Sequence, residues 1–255
     1  MRGLRGKVVV VAGGAGGIGT ATCLRLAAEG AAVVVGDINA AGATEVAEQI
    51  SAAGGDARAV TVDVSDEASV DHLFASAVEA HGGIDAVHVN AADLSREVIG
   101  SDTDVVDVDL GLFDHTLAVD LRGHVLCARR AVPLLLQRGG GAIVHTSSEA
   151  AFAGTPARPS YSVAKAGINA LVRHVASRWG KEGVRANAVA PGLVVTPTVA
   201  AMGETPVQRD ALRRNRSPRL GRPEDIAAMV AFLFSDDGEW VNGQVISVDG
   251  GATVR

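Results

Sequence analysis

A glycine-rich stretch placed directly after a short hydrophobic run limits most strongly how this chain can fold. Residues 8–19 read Val-Val-Val-Val-Ala-Gly-Gly-Ala-Gly-Gly-Ile-Gly, which predicts a buried strand, a tight turn and the start of a helix. Such glycines permit positive φ and let the backbone approach a pyrophosphate, whose charge the N–H groups of a helix N-terminus hold. The glycines fit two spacings, G-x-G-x-x-G at Gly14, Gly16 and Gly19 and G-x-x-x-G-x-G at Gly13, Gly17 and Gly19. The motif alone leaves this register open, and it is also compatible with a strand–helix turn that binds nothing.

Short β-branched runs alternate with longer helical patterns along the whole chain. The predicted strands are residues 8–11, 32–35, 59–62, 86–89, 142–145, 185–189 and 245–248. The predicted helices are residues 17–29, 40–53, 67–81, 112–137, 160–181 and 223–234. This alternation predicts an α/β fold with a parallel sheet, right-handed crossovers and helices on both faces. No repeat, low-complexity stretch or linker divides residues 1–255, so we expect a single domain.

Composition narrows the function classes. Hydrophobic residues make up 47% of the chain and aromatic residues only 3%, so the core must consist of Ala, Val, Leu and Ile, as in parallel sheets buried on both faces. The net charge of −6 and the lack of a basic stripe argue against nucleic acid as a partner. The hydrophobic run at residues 8–12 is too short for a signal peptide or a membrane span, so we expect a cytoplasmic protein without a membrane partner. Cys23 and Cys127 are expected to be buried thiols.

Other chemistries lack their signatures. The seven histidines show no zinc-binding spacing, so no metal site is expected. No P-loop lysine follows the glycine turn, and Ser148 lacks a nucleophile-elbow sequence, which argues against a nucleotidase and a serine hydrolase. His145, next to the serines that end the fifth strand, is expected to be structural.

Polar residues follow several predicted strands at the edge where such sheets bind ligands. Asp37 closes the second strand, where a carboxylate accepts hydrogen bonds from both ribose hydroxyls of an adenosine and repels a 2′-phosphate. No Arg or Lys lies beside it, so NAD is favoured over NADP; the alternative is an Asp that caps the next helix. Two pairs, Asp63–Val64 and Asn90–Ala91, follow the third and fourth strands and could line the adenine and its ribose.

Tyr161 and Lys165 are four residues apart in a helical pattern, so they share one face. An unperturbed phenol titrates near pH 10 and is a poor base at neutral pH. A neighbouring ammonium group and an oxidised nicotinamide are expected to lower the pKa of the phenol. Ser148 ends the fifth strand, where its hydroxyl could hydrogen-bond the reacting oxygen. After the sixth strand, the turn at Pro191–Gly192 could pass beside a nicotinamide whose carboxamide binds Thr196.

In order and spacing, these residues, together with the segments 222–225 and 249–251, resemble the short-chain dehydrogenase/reductase family of the common short type, over nearly the whole chain. The resemblance implies a Rossmann-type, doubly wound, seven-stranded parallel sheet and selects the register of Gly13, Gly17 and Gly19. It implies Tyr161 as acid and base, Ser148 as holder of the substrate oxygen, and Lys165 as ribose ligand and tuner of the phenol. The expected cofactor contacts are Gly13, Gly16, Gly17, Ile18, Gly19, Asp37, Asp63, Val64, Asn90, Ala91, Tyr161, Lys165, Pro191, Gly192, Val194 and Thr196. A homotetramer, or a dimer through the helices at 112–137 and 160–181, is the family's usual assembly.

The sequence departs from the family pattern at several positions. Ala12 replaces the usual Thr before the glycines, and Val89 and Ala92 replace the outer residues of the usual Asn-Asn-Ala-Gly. Asp120 stands where the family has a catalytic asparagine that is thought to hold a proton-relaying water. We hypothesise that Asp120 supports this water chain and strengthens the positive charge on Lys165; the alternative is that Asp120 only binds a neighbouring group.

The sequence therefore predicts an enzyme that uses NAD to interconvert a secondary alcohol and a ketone, with a small-molecule substrate. Two alternatives stay open: a cofactor-binding protein with weakened catalysis, and an NADPH-dependent acyl-chain ketoreductase, which Asp37 opposes. Two loops, 94–109 with four aspartates and 198–222 with six arginines, leave C-terminal strand ends and either contact substrate or are solvated surface. The identity of the substrate is not readable from them.

Overall fold

The computed structural model describes residues 1–201 and 203–254, so Met202, inside the predicted 198–222 loop, and Arg255 lie outside the described residues. Seven parallel strands form one sheet: β1 Val8–Ala12, β2 Ala32–Asp37, β3 Ala57–Thr61, β4 Ala86–Val89, β5 Gly141–Thr146, β6 Val184–Pro191 and β7 Val245–Val248. Their order is β3-β2-β1-β4-β5-β6-β7, which confirms the predicted doubly wound, single-domain fold. The order reverses between β1 and β4, and ligands bind in the crevice at such a reversal.

Ten α-helices lie in the described part of the chain. They are α1 Gly17–Ala28, α2 Ala40–Ala52, α3 Glu67–His81, α4 Arg96–Ser101, α5 Leu110–Leu117, α6 Gly123–Gln137, α7 Pro159–Trp179, α8 Pro197–Ala200, α9 Pro206–Arg214 and α10 Pro223–Phe234. Side chains of α3, α6 and α7 pack on one face of the sheet, and those of α1, α2 and α10 pack on the other.

The central strand β1 shows why the sheet is rigid next to the glycine turn. Val8 and Val10 pack into the core on one face, while Val9 and Val11 pack into the core on the other, and all four are buried. Each buried valine contributes roughly 1.5–3 kcal/mol. The strand therefore holds the start of the turn, at residue 13, in a fixed position. Cys23 and Cys127 are buried free thiols, as expected.

The structure corrects three parts of the sequence-based assignment. The predicted helix 112–137 is interrupted: α5 ends at Leu117, a π-helical turn spans Ala118–Arg122, and α6 follows. Such a turn inserts one residue into the helical repeat, so periodicity could not reveal it. The third strand begins two residues earlier than the predicted 59–62.

The two predicted loops also contain short helices, α4 in 94–109 and α8 and α9 in 198–222. The starts of these helices carry capping residues that the sequence shows. Ser95 caps α4 through its side chain, and Thr196 and Thr205 each precede a proline that begins a helix.

Candidate active site

The glycine turn between β1 and α1 leaves an open space lined by backbone. Gly13 has φ +87°, and a Cβ there would lie 2.5 Å from the backbone nitrogen of Ala91, so only glycine fits. Gly16 faces open space, with nothing within 4 Å of the position of a Cβ. It precedes α1 without capping it through a side chain, so the first N–H groups of the helix stay available to an anion. The turn has the shape that a pyrophosphate requires.

Asn90, one of the expected cofactor contacts, ties the glycine turn to the sheet. Its Nδ2 donates to the carbonyl oxygen of Gly13 over 2.9 Å, and its Oδ1 accepts from Oγ1 of Thr146, also over 2.9 Å. Both polar atoms of the amide are therefore engaged, across β1, β4 and β5. The structure supports a role for Asn90 in shaping the turn, with Ala91 packed against Gly13.

Two carboxylates border the crevice beyond the glycine turn. Asp37 accepts one backbone hydrogen bond on each oxygen, from the N–H groups of Ala15 and Asn39, each over 2.9 Å. The first bond fixes the carboxylate against the turn, and each oxygen keeps acceptor capacity for a ribose hydroxyl. Asn39, not Asp37, caps α2, which removes the alternative reading of Asp37 as a helix cap. Asp63 holds Ser65 through one oxygen only.

The chain after β6 closes the crevice from the other side. A Cβ at Gly17 would lie 2.7 Å from the Cβ of Thr196, so glycine lets this segment approach α1 closely. Oγ1 of Thr196 accepts from the N–H of Val199 and caps α8. Of the remaining expected contacts, three lie in this segment: Pro191 ends β6, Gly192 follows it and Val194 pairs with Gly221. Val64 is buried after β3, and Ile18 of α1 packs on the core.

Tyr161, Lys165 and Ser148 lie together at the C-terminal edge of the sheet. Nζ of Lys165 lies 5.4 Å from the centroid of the Tyr161 ring and donates to the carbonyl oxygen of Thr146 over 3.2 Å. The lysine is 1% exposed. Ser148 is held by the N–H of Ala150, which donates to its Oγ, and its hydroxyl lies near enough to the phenol of Tyr161 to lower the pKa of the phenol. A substrate oxygen placed against the phenol and the serine hydroxyl would meet both groups.

Burial dominates the electrostatics of this group. Burial raises the pKa of Tyr161 to about 12, partly offset by the hydrogen bond from Ser148, and the charge of Asp120 raises it further. Burial also lowers the pKa of Lys165, an effect that Asp120 opposes. In the protein alone, desolvation dominates the pKa of the phenol, so the lowering expected from the ammonium group together with an oxidised nicotinamide stays a prediction. The phenol is therefore protonated at neutral pH and acts as a proton donor, unless additional positive charge in the site lowers its pKa.

Asp120 lies in the π-helical turn, directed at Lys165. Its side chain is fully buried, its Oδ1 accepts from the N–H of Asp93 over 2.9 Å, and its Oδ2 lies 4.0 Å from Nζ of Lys165. No group in the described residues hydrogen-bonds Oδ2. Burial raises the pKa of Asp120, and Lys165 counteracts this. The geometry leaves one buried acceptor beside the ammonium group, as the hypothesis of a proton chain requires.

Asp102 is buried and holds the start of α7, although the sequence indicated only that it belongs to an acidic loop. Its carboxylate accepts from the N–H and the Oγ of Ser160, over 3.2 and 2.9 Å, and from the N–H of Tyr161 over 3.1 Å. Its carbonyl oxygen and that of Thr103 both accept from the N–H of Arg158. Arg158 has φ +66° and provides no cap of its own. No local pattern links residue 102 to residue 161, so the sequence could not show this clamp.

Three buried histidines surround the same strand ends. His124 and His145 stack with their Nδ1 atoms 3.0 Å apart, and Nε2 of His88 hydrogen-bonds Oγ1 of Thr146 over 2.9 Å. Burial lowers the pKa of His88 and His145 to about 3, so both are neutral at physiological pH. The expected structural role of His145 fits this packing, while the grouping with His88 and His124 went unrecognised.

The two loops differ in what they offer to a ligand. Residues of the first, Leu94, Val98 and Ile99, line a small recess beside Tyr161 together with Arg158. In the second, Arg213 and Arg214 pair with Asp210, and Arg219 pairs with Asp225. These internal pairs fit solvated surface charge better than an anion site.

Residues 1–201 and 203–254 contain neither a cluster of metal ligands nor a membrane-spanning helix. Within these ranges, no three His, Cys, Asp or Glu side chains cluster as metal ligands would. No helix among them combines the length and the hydrophobicity needed to cross a bilayer.

Comparison with known proteins agrees with this geometry. A family model described as enoyl-(acyl carrier protein) reductase matches residues 13–253. A probable short-chain type dehydrogenase/reductase of Bradyrhizobium diazoefficiens is 41% identical, covering 96% of this chain and 87% of the relative. A cis-4-hydroxycyclohexanecarboxylate dehydrogenase of Sinomonas cyclohexanicum is 40% identical, covering 97% and 96%. A solved 7 alpha-hydroxysteroid dehydrogenase, complexed with NADH and 7-oxo glycochenodeoxycholic acid, superposes with a TM-score of 0.90 at 31% identity, covering 97% and 94%.

Proposed function

The chain belongs to the short-chain dehydrogenase/reductase family, and on that premise we propose that it uses NAD to interconvert a secondary alcohol and a ketone. The observation that carries the proposal is the placement of Tyr161, Ser148 and Lys165 at the same edge of the sheet as the glycine turn. A proton donor and a pyrophosphate cradle in one crevice are what a hydride-transfer enzyme needs.

The residues around the crevice fit a nicotinamide dinucleotide. The open space at Gly16 and the free N–H groups that begin α1 would hold the pyrophosphate. Asp37 would accept the ribose hydroxyls, and its charge would repel the 2′-phosphate of NADP. The solved relative bound to NADH supports the same cofactor class. When bound, the cofactor supplies the hydride acceptor and, in its oxidised form, one positive charge.

The chain's own groups would handle the proton. Ser148 and Tyr161 would hold the hydroxyl oxygen of the substrate, and Tyr161 would take its proton during oxidation and return one during reduction. Burial keeps the phenol protonated in the free protein, so we infer that the base forms only when the site carries additional positive charge. Lys165 would contribute to that charge and bind the ribose. Asp120 would keep Lys165 charged and accept a hydrogen bond from a relaying water.

We propose that the substrate carries its hydroxyl group on a ring. The names of two relatives, a hydroxycyclohexanecarboxylate dehydrogenase and a hydroxysteroid dehydrogenase, both describe alcohols of this kind. The recess beside Tyr161 has hydrophobic walls at Leu94, Val98 and Ile99; its volume of about 10 Å³ is too small to enclose a ring, so these side chains would contact the edge of a ring held at the phenol.

We also propose a cytoplasmic homo-oligomer, a tetramer by family expectation. The helices α6 and α7 carry Val125 and Val163, which are 40% and 49% exposed. A second copy of this chain could cover these side chains if its α6 and α7 packed against α6 and α7 of the first copy.

The proposed function is tested by following NADH formation with the purified protein. Cyclic secondary alcohols, linear secondary alcohols and hydroxy acids would be offered with NAD⁺ or NADP⁺. We expect NADH formation with the cyclic alcohols, and a lower Kd for NADH than for NADPH. Binding of NADH without turnover of any alcohol would instead support a protein with weakened catalysis, and preferential turnover with NADP⁺ would contradict the role of Asp37.

A further inference from the structure

The recess beside Tyr161 is hydrophobic on one side and carries a cation on the other. Leu94, which is 53% exposed, lies on its wall with Val98 and Ile99 of α4. Arg158, three residues before Tyr161, also lines the recess and supplies the cation. The recess has a volume of only about 10 Å³, so a ligand held at Tyr161 would lie over its mouth, with hydrocarbon against Leu94 and α4 and another group near Arg158.

Arg158 is held in a conformation that its side chain does not favour. Its φ of +66° is the only left-handed value of a non-glycine residue in the described part of the chain. The two hydrogen bonds from its N–H to the carbonyl oxygens of Asp102 and Thr103 maintain this conformation. Strained backbone of this kind concentrates at binding sites, where the surrounding structure maintains it for the position of a side chain.

The positive charge of Arg158 is not balanced by an acidic partner in the described part of the chain. Among the described residues, no acidic side chain forms an ion pair with it, although ten other arginines do so. The two carboxylates of the recess are committed elsewhere: Asp93 binds His115 over 2.9 Å and Asp102 clamps α7. Its positive charge also reaches the active site, because it lowers the pKa of the phenol of Tyr161 against the larger effect of burial.

The geometry points to a substrate that is a hydrophobic ring alcohol bearing a carboxylate, with the carboxylate paired to Arg158 and the hydroxyl group at Tyr161. This inference rests on the proposed function and adds the anionic group to it. The pairing would hold the far end of the substrate and fix the carbinol carbon relative to the phenol. A neutral analogue would lose this anchor and leave the guanidinium group without a partner.

The test compares 4-hydroxycyclohexanecarboxylate with the matching carboxamide, which has the same ring and hydroxyl group but no charge. For the native protein, we expect kcat/KM to be about 10- to 100-fold higher for the acid, the range of a charge-assisted hydrogen bond. Arg158→Gln should reduce this acid-to-amide ratio to near one. Arg158→Gly, which suits the positive φ, should do the same without strain, and Arg158→Lys should keep part of the preference. Arg96→Gln, an exposed arginine at the start of α4, serves as the matched control and should leave the ratio unchanged.

The outcomes separate this inference from the proposed function. If the native protein oxidises acid and amide equally, or if both neutral variants keep the native ratio, the inference is wrong while the oxidoreductase stands. If no alcohol yields NADH, the proposed function fails first. NADH binding by each variant, measured by fluorescence titration, shows that the variant is folded.

Discussion

The clamp on α7 predicts that Asp102→Asn weakens both stability and catalysis. The carboxylate uses one oxygen for two donors of Ser160 and the other for the N–H of Tyr161. An asparagine has one acceptor oxygen, so its amide nitrogen must face a donor whichever way it turns. Leaving one buried N–H unpaired costs about 1–3 kcal/mol. If the two bonds to Ser160 persist, the N–H of Tyr161 loses its partner, and the first turn of α7 loosens where the phenol is attached.

We therefore expect the free energy of unfolding, measured by urea denaturation, to fall by about 1–3 kcal/mol in Asp102→Asn. We also expect kcat for alcohol oxidation to fall tenfold or more, since a displacement of about 1 Å can cost about 100-fold. The Kd for NADH should stay close to native, because the side chain of Asp102 bonds Ser160 and Tyr161 and makes no hydrogen bond to the glycine turn. Asp104→Asn is the control. Asp104 is exposed, and a single carboxylate oxygen accepts from the N–H groups of Val106 and Asp107. The free energy of unfolding of this variant should therefore differ from the native value by less than about 0.5 kcal/mol. Equal behaviour of the two variants in both assays would refute the clamp.

Three further variants address the electrostatics of the site. Asp120→Asn should move the ascending limb of the pH profile of alcohol oxidation to lower pH, since Asp120, together with the larger effect of burial, raises the pKa of Tyr161; superimposable profiles would contradict this. Asp37→Ala should raise the Kd for NADH about tenfold or more, which corresponds to one charge-assisted hydrogen bond, and should reduce the preference for NADH over NADPH. An unchanged ratio of the two Kd values would show that Asp37 does not select the cofactor. His88 has a folded-state pKa of about 3 against an ordinary 6.5, so its contribution to stability is complete above pH 6.5 and is lost as pH falls toward 3. His88→Leu should therefore remove about 2 kcal/mol of the stability difference between pH 8 and pH 5 in urea denaturation, and an equal difference in both proteins would argue against a neutral buried histidine.

The elements that local patterns specify were predictable from the sequence. The strand Ala86–Val89 and the helices Glu67–His81 and Pro223–Phe234 have the predicted bounds. β-Branched residues mark the strand, and an aspartate cap and a proline in the first turn mark where the two helices begin. The spacing of Tyr161 and Lys165 likewise placed both groups on one helical face.

Features that arise from contacts between distant residues were not predictable. The clamp joins Asp102 to Tyr161 across 59 positions, and nothing around Asp102 distinguishes it from the exposed Asp104. The pKa of Tyr161 depends on how far the folded chain excludes water, which the spacing to Lys165 does not reveal. The π-helical turn at Ala118–Arg122 extends a regular pattern by one residue, so it is visible only once the chain is folded.

The central claim is that the phenol of Tyr161 moves the proton in a protein that binds NAD. Its most direct test is Tyr161→Phe, studied by NADH fluorescence titration and by NADH formation from a cyclic secondary alcohol. We predict a Kd for NADH near the native value and a loss of turnover of at least about 100-fold, the contribution of a general base. Native-like turnover in the variant, or no NADH binding by the native protein, would contradict the account.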